Sequence, residues 1–210
     1  MAKLVLVRHG KSEWNEKGLW TGWTDVPLCE KGYEEAKSVG LALRGLDFDF
    51  AFIAPLVRNR ETLKTILNTM GENKLDVIEN SAILERNYGI YTGKNKWQVK
   101  EEVGEEEFMN IRRGWNHLIP EGESLKQVYN RFIPYYQKEI ELKLKTGKNI
   151  LVVSSGNALR SLVKYLENLG DEEISKVEIG TAEILKYEIN DTGEVIGKEI
   201  LNKNLDKLGV

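Results

Sequence analysis

The run "ILVVSSGNALRSLVKYL", Ile150 to Leu166, decides the fold. It opens on uninterrupted apolar sequence, the kind a strand carries when both faces of its sheet are covered. Ser154, Ser155 and Gly156 make a small turn. From about Asn157, Leu159, Leu162, Val163, Leu166 and Leu169 then recur at helical spacing until Gly170. Strand, short turn and helix form the unit of an open α/β sheet, whose ligands bind beyond the carboxyl ends of the strands. The two serines stand at such an end, and the question is what a serine does there.

Outward from this run the same grammar repeats. "KLVLV" (3–7) and "FDFAFIA" (48–54) are further β-rich runs, the second followed by Leu63, Ile66, Leu67 and Met70 at helical spacing before Gly71. Ser124 and Gln127 form a capping box ahead of a long helix with Leu125, Val128, Phe132 and Tyr136 inward and a kink expected at Pro134. "AEILKYEI" and "EVIGKEI" close the chain as two strands joined by a hairpin turn at "NDTG". These elements predict an α/β three-layer sandwich, a mostly parallel sheet with helices on both faces. With 210 residues, 41% of them hydrophobic, and no repeat or Pro/Gly-rich linker, residues 1–210 read as one domain.

Composition narrows the function. A net charge of −3 argues against a general nucleic-acid binder. A single cysteine, Cys29, excludes an internal disulfide and fits a reducing compartment. No apolar run reaches the roughly 18 residues that span a bilayer, and "MAKLVLVRHG" is too short and too soon charged for a signal peptide. The expectation is a soluble cytoplasmic protein without a membrane partner.

The strand ends carry the chemistry. Arg8, His9 and Gly10 follow "KLVLV", Arg58 follows "FAFIA", Glu85 and Arg86 follow "AIL", and Ser154 and Ser155 follow "ILVV". A histidine alone after a strand is more often structural. Beside arginines that bind phosphate bidentately and a carboxylate that moves protons, His9 reads instead as a nucleophile able to carry a phosphoryl group.

Five motifs, in order, make the chain familiar. "LVRHGKSEWN" resembles the opening of the histidine phosphatase superfamily, and "TGWTDVPL", "ERNYGIYTGKNK", "IRRGW" and "SGNALRSLVKYLENL" resemble its cofactor-dependent phosphoglycerate mutase branch. The resemblance covers Lys3 to about Ile189, with "NHLIPEG" bridging a stretch that is often longer. It implies phosphoryl transfer between O3 and O2 of phosphoglycerate through phospho-His9, primed by 2,3-bisphosphoglycerate and needing no metal. Arg8 and Arg58 would clamp the phosphoryl group and Glu85 would serve as general acid and base. Asn15, Thr21, Gly22, Arg86, Tyr88, Lys96, Arg112, Arg113, Gly156 and Asn157 would hold the rest of a small anionic phosphorylated substrate. Dimers or tetramers are common in the family, so a homo-oligomer is a further expectation.

The chain also departs from the pattern. The family carries a second histidine where Ser155 stands, and its loss removes a donor aimed at the transferring oxygens. In "IAPLVRNRETL", Arg58 and Thr62 match while Ala54 and Asn59 do not, which suggests an altered pocket floor. Changes clustered in an otherwise faithful chain fit an engineered variant as well as drift. Three readings follow: a mutase-like enzyme impaired at Ser155, a serine hydrolase built on Ser155 and His9 with the Gly156 and Asn157 amides as oxyanion donors, or a non-catalytic anion-binding homologue. The chain lacks the G-x-S-x-G signature of a nucleophile elbow. His117 is a lesser candidate for a base and reads as a loop residue.

Overall fold

The computed structural model describes residues 1–72 and 74–202. In chain order the elements are β1 (Ala2–Arg8), α1 (Glu13–Glu16), α2 (Glu30–Ala42), β2 (Phe50–Ile53), α3 (Val57–Met70) and β3 (Asp76–Glu79). They continue with α4 (Lys96–Val103), α5 (Glu105–Arg113), α6 (Leu125–Tyr135), α7 (Leu142–Lys145), β4 (Ile150–Ser154), α8 (Gly156–Leu166), α9 (Asp171–Lys176), β5 (Ile184–Ile189) and β6 (Val195–Asn202). The sheet order is β3-β2-β4-β1-β5-β6. Pairings β3–β2, β2–β4 and β4–β1 are parallel, whereas β5 runs antiparallel to both β1 and β6. The parallel part therefore ends all its strands on one side, and β1 and β4 end side by side with Arg8 opposite Ser154.

Alternation along the central strands explains their unbroken apolar sequence. Leu4, Leu6, Ile150 and Val152 pack on one face with Val128 and Phe132 of α6 and Leu159 and Leu162 of α8. Val5, Val7, Leu151 and Val153 pack on the other with Val39 of α2 and Leu63 and Ile66 of α3. A third cluster, Trp20, Tyr88, Val99, Phe108, Ile111 and Ile119, supports the segments that carry Lys96 and Arg112.

Several expectations need correction. The helix after Ser155 ends at Leu166 rather than near Gly170, because Asn168 takes the left-handed conformation at φ 50°. Leu169 thus lies beyond the helix, and Gly170 becomes the N-cap of α9. "AIL" is no strand: β3 precedes it, and Ser81–Ile83 form a 3₁₀ turn leading to Glu85. At Pro134, which lacks the N–H to continue the ladder, α6 runs on one residue and passes into a π-helical stretch, Tyr136–Glu141. The Ser124–Gln127 capping box forms, as does the hairpin turn, where Gly193 N donates to Asn190 O at 3.1 Å.

Candidate active site

His9 sits one residue past β1 and is buried, 3% exposed. Its amide donates to Ser154 O at 2.9 Å, and Ala182, a non-glycine residue at φ 55°, donates its own amide to Arg8 O at 3.0 Å. Gly10 follows because no larger residue fits: a Cβ there would meet Gly32 O of α2 at 2.3 Å. Gly10 N donates to Thr62 Oγ1 at 3.1 Å, and Thr62 Oγ1 donates to Arg58 O at 2.6 Å, tying the nucleophile turn to the helix that carries Arg58. His9 Nδ1 lies 2.7 Å from Gly10 O. A carbonyl only accepts, so Nδ1 carries the proton and Nε2 keeps its lone pair. Burial, then the charges of Arg58 and Arg8, hold His9 well below the usual histidine range. It is a neutral imidazole at pH 7.

The arginines beside it are held by backbone carbonyls. Arg58 Nη1 donates to Thr24 O at 2.9 Å and Nη2 to Gly22 O at 2.8 Å, while Arg8 Nη1 donates to Ile179 O at 2.7 Å. Burial lowers Arg58 to about 10, which leaves it charged at neutral pH. The Nε atoms of both arginines and Thr21 Oγ1 are buried without a partner among the described residues, which suits sites awaiting an anion.

Glu85 is fixed from several sides. Its Oε1 accepts from Arg86 N at 2.6 Å and its Oε2 from Asn157 N at 3.2 Å. Trp23 Nε1 and Arg131 Nη2 donate to its carbonyl at 2.7 and 2.8 Å. Asn157 Nδ2 donates to Tyr88 Oη at 2.7 Å, and Asn157 Oδ1 accepts from Arg160 Nη1 at 2.7 Å. Asn15 Oδ1 closes the α1 capping box, so its Nδ2 is the donor left for a ligand.

One cleft, open to solvent, gathers these groups. Arg8, His9, Asn15, Thr21, Gly22, Arg58, Glu85, Tyr88, Lys96, Arg112, Arg113, Ser155, Gly156 and Asn157 all line it. Arg86 does not: it lies beneath, donating to the carbonyls of Ile111 and Arg112 at the end of α5 and stacking on Tyr88 at 4.8 Å. Arg160, which the sequence reading passed over, takes its place in the wall. The signal was its place one turn after Asn157, a residue the motif already assigned to the site, so both fall on the same side of the helix. Ala54 and Asn59 stay outside the lining, so neither places a side chain in the pocket floor. Ala54 belongs to the core, and Asn59, about 100° around α3 from Arg58, is buried with neither amide atom bonded to a described residue. His117 pairs with Glu107 at 3.2 Å, also away from the lining.

Six cations, Arg8, Arg58, Lys96, Arg112, Arg113 and Arg160, thus face Glu85, the one carboxylate among the described lining residues. Burial, then Arg8, Arg112 and Arg113, lower Lys96 to about 7. Burial, then Arg113 and Arg86, lower Arg160 to about 9.

The profile of the histidine phosphatase superfamily (branch 1) matches residues 4–199. The chain belongs to that superfamily. Among its branch-1 relatives, the 2,3-bisphosphoglycerate-dependent phosphoglycerate mutase of Parvibaculum lavamentivorans is 44% identical over 200 residues, covering 94% of this chain and 95% of the relative. That of Cytophaga hutchinsonii is 45% identical over 190 residues, covering 90% and 89%. The crystal structure of phosphoglycerate mutase from Bacillus anthracis superposes with TM-score 0.75 at 24% identity, covering 97% of this chain and 92% of that one, and shares the fold. A putative alpha-ribazole-5'-P phosphatase from Escherichia coli reaches TM-score 0.78 at 25% identity, covering 96% of each chain. In this member of the superfamily the cleft lies beyond the parallel strands, where an open α/β sheet binds its ligand.

Proposed function

We propose that this chain is a phosphoglycerate mutase-like enzyme that transfers a phosphoryl group through Nε2 of His9, impaired by serine at position 155. The observation that carries the reading is the neutral imidazole with its free nitrogen flanked by half-buried Arg8 and buried Arg58, each with a buried Nε that no described residue pairs. The P–O bond to the substrate breaks as the P–Nε2 bond forms, with the two guanidiniums neutralising the equatorial oxygens. Glu85 gives a proton to the departing oxygen and takes one from the hydroxyl that receives the group back. Asn15, Thr21, Lys96, Arg112 and Arg113 are the side chains to hold the remaining charges of a small phosphorylated substrate.

The same donors fit 2,3-bisphosphoglycerate, since buried unpaired donors and an excess of cations suit a small polyanion. When bound, it supplies the phosphoryl group that primes His9.

Ser155 gives little support to a hydrolase. Its backbone is relaxed and extended, at φ −102° and ψ 167°, without the strain of a nucleophile elbow. Its Oγ accepts from Arg58 Nη2 at 3.5 Å, and among the described residues no hydrogen bond joins it to His9. The Asn157 amide, a candidate oxyanion donor, is already bonded to Glu85. A histidine held well below its usual range is also a poor base for a serine. The remaining role for Ser155 is a short neutral donor toward a ligand oxygen.

Calorimetric titration with 2,3-bisphosphoglycerate tests the reading. Lys96, lowered to about 7, is charged below that pH and neutral above it, so affinity should fall as pH rises from 6 to 8. Lys96→Gln should remove most of that slope. Failure of the polyanion to bind at either pH would count against the proposal.

A further inference from the structure

Arg113, in the cleft wall, is not free to give its whole charge to a ligand. Its Nη2 makes an ion pair with Glu178, whose side chain is 35% exposed and lies outside the cleft lining. Glu178 also acts electrostatically on Arg112. A single carboxylate outside the lining therefore offsets the arginine pair at one part of the cleft. The charges that bear on His9 are Arg58 and Arg8 instead. Glu178 belongs to the segment between α9 and β5, where Ile179 O holds Arg8 and Glu183 Oε2 accepts from Gly180 N at 3.0 Å. Its backbone place is therefore set independently of its contact with Arg113.

We infer that Glu178 is a specificity-determining residue, a built-in competitor for the anionic group that a ligand presents to Arg112 and Arg113. This rests on the phosphoryl-transfer reading of the cleft. A ligand with one phosphoryl group satisfies the His9 end without meeting Glu178. A ligand with a second anionic group must displace the carboxylate from Arg113 or share the guanidinium with it. Glu178 therefore weakens binding of doubly anionic ligands selectively.

The test compares inorganic phosphate with 2,3-bisphosphoglycerate by calorimetry on the wild-type chain, Glu178→Gln and Glu178→Ala, with thermal melting of each ligand-free protein as the control for folding. Bisphosphoglycerate affinity should rise about fivefold in both variants, the size expected when a partly exposed ion pair stops competing. Inorganic phosphate affinity should stay unchanged. An unchanged or weaker bisphosphoglycerate affinity would overturn the inference and make Glu178 a support that orients Arg113. An equal rise for both ligands would also overturn it, as a general field effect. If the wild-type chain binds phosphate but the bisphosphoglycerate prediction fails, only this inference falls. If it binds neither ligand, the reading of the cleft falls with it.

Discussion

Ser155→His raises mutase turnover by a factor of about 10²–10³, because one preorganised donor at a transferring phosphoryl group contributes several kcal/mol at the transition state. The side chain of Ser155 lines the open cleft, so an imidazole has space to extend toward the ligand. Serine is shorter, and its oxygen already accepts from Arg58. Rescue should not require changes at Ala54 or Asn59, since neither lines the cleft. The assay is conversion of 3-phosphoglycerate to 2-phosphoglycerate with 2,3-bisphosphoglycerate as primer. Hydrolysis of p-nitrophenyl acetate on the same preparation should stay at background and be indifferent to Ser155→Ala. Ester hydrolysis that Ser155→Ala abolishes would restore the hydrolase reading. Absence of both rescue and hydrolysis would leave an anion-binding homologue without turnover.

His9→Ala has the larger effect in the opposite direction. Removing the nucleophile should lower turnover by a factor on the order of 10⁴–10⁶, in the Ser155→His background as well as in the parent. Binding of 2,3-bisphosphoglycerate should change far less, because Arg8 and Arg58 are positioned by the carbonyls of Ile179, Thr24 and Gly22 rather than by His9. A variant that loses binding and turnover together would assign His9 a structural role.

The central strands were readable because burial on both faces leaves the runs 4–7 and 150–153 wholly apolar, and their ends are marked by Arg8 and Ser154. Strand β3 gave no such signal: it is a sheet edge, with Asp76, Val77 and Glu79 exposed and only Ile78 partly covered. Without it, Glu85 was assigned to a strand end, although a 3₁₀ turn presents it and Arg131 pins it through the carbonyls of Ala82, Leu84 and Glu85. That anchor joins residues 46 or more positions apart, which local spacing does not reveal. Arg86 and Arg160 exchanged places for a related reason. Both are buried arginines near the cleft, and which one faces it depends on how α5 and α8 pack. Asn168 rather than Gly170 ended α8 because asparagine also tolerates the left-handed region.

The most direct test of the central claim is where a phosphoryl group lands on the protein. After incubation with 2,3-bisphosphoglycerate, alkaline quenching and digestion, peptide sequencing by mass spectrometry should find phosphate on His9. The Ser155→His variant should carry the same mark, and His9→Ala should carry none. Phosphate on Ser155 or on any residue other than His9, or no phosphoprotein in either the parent or the Ser155→His variant, would contradict the account.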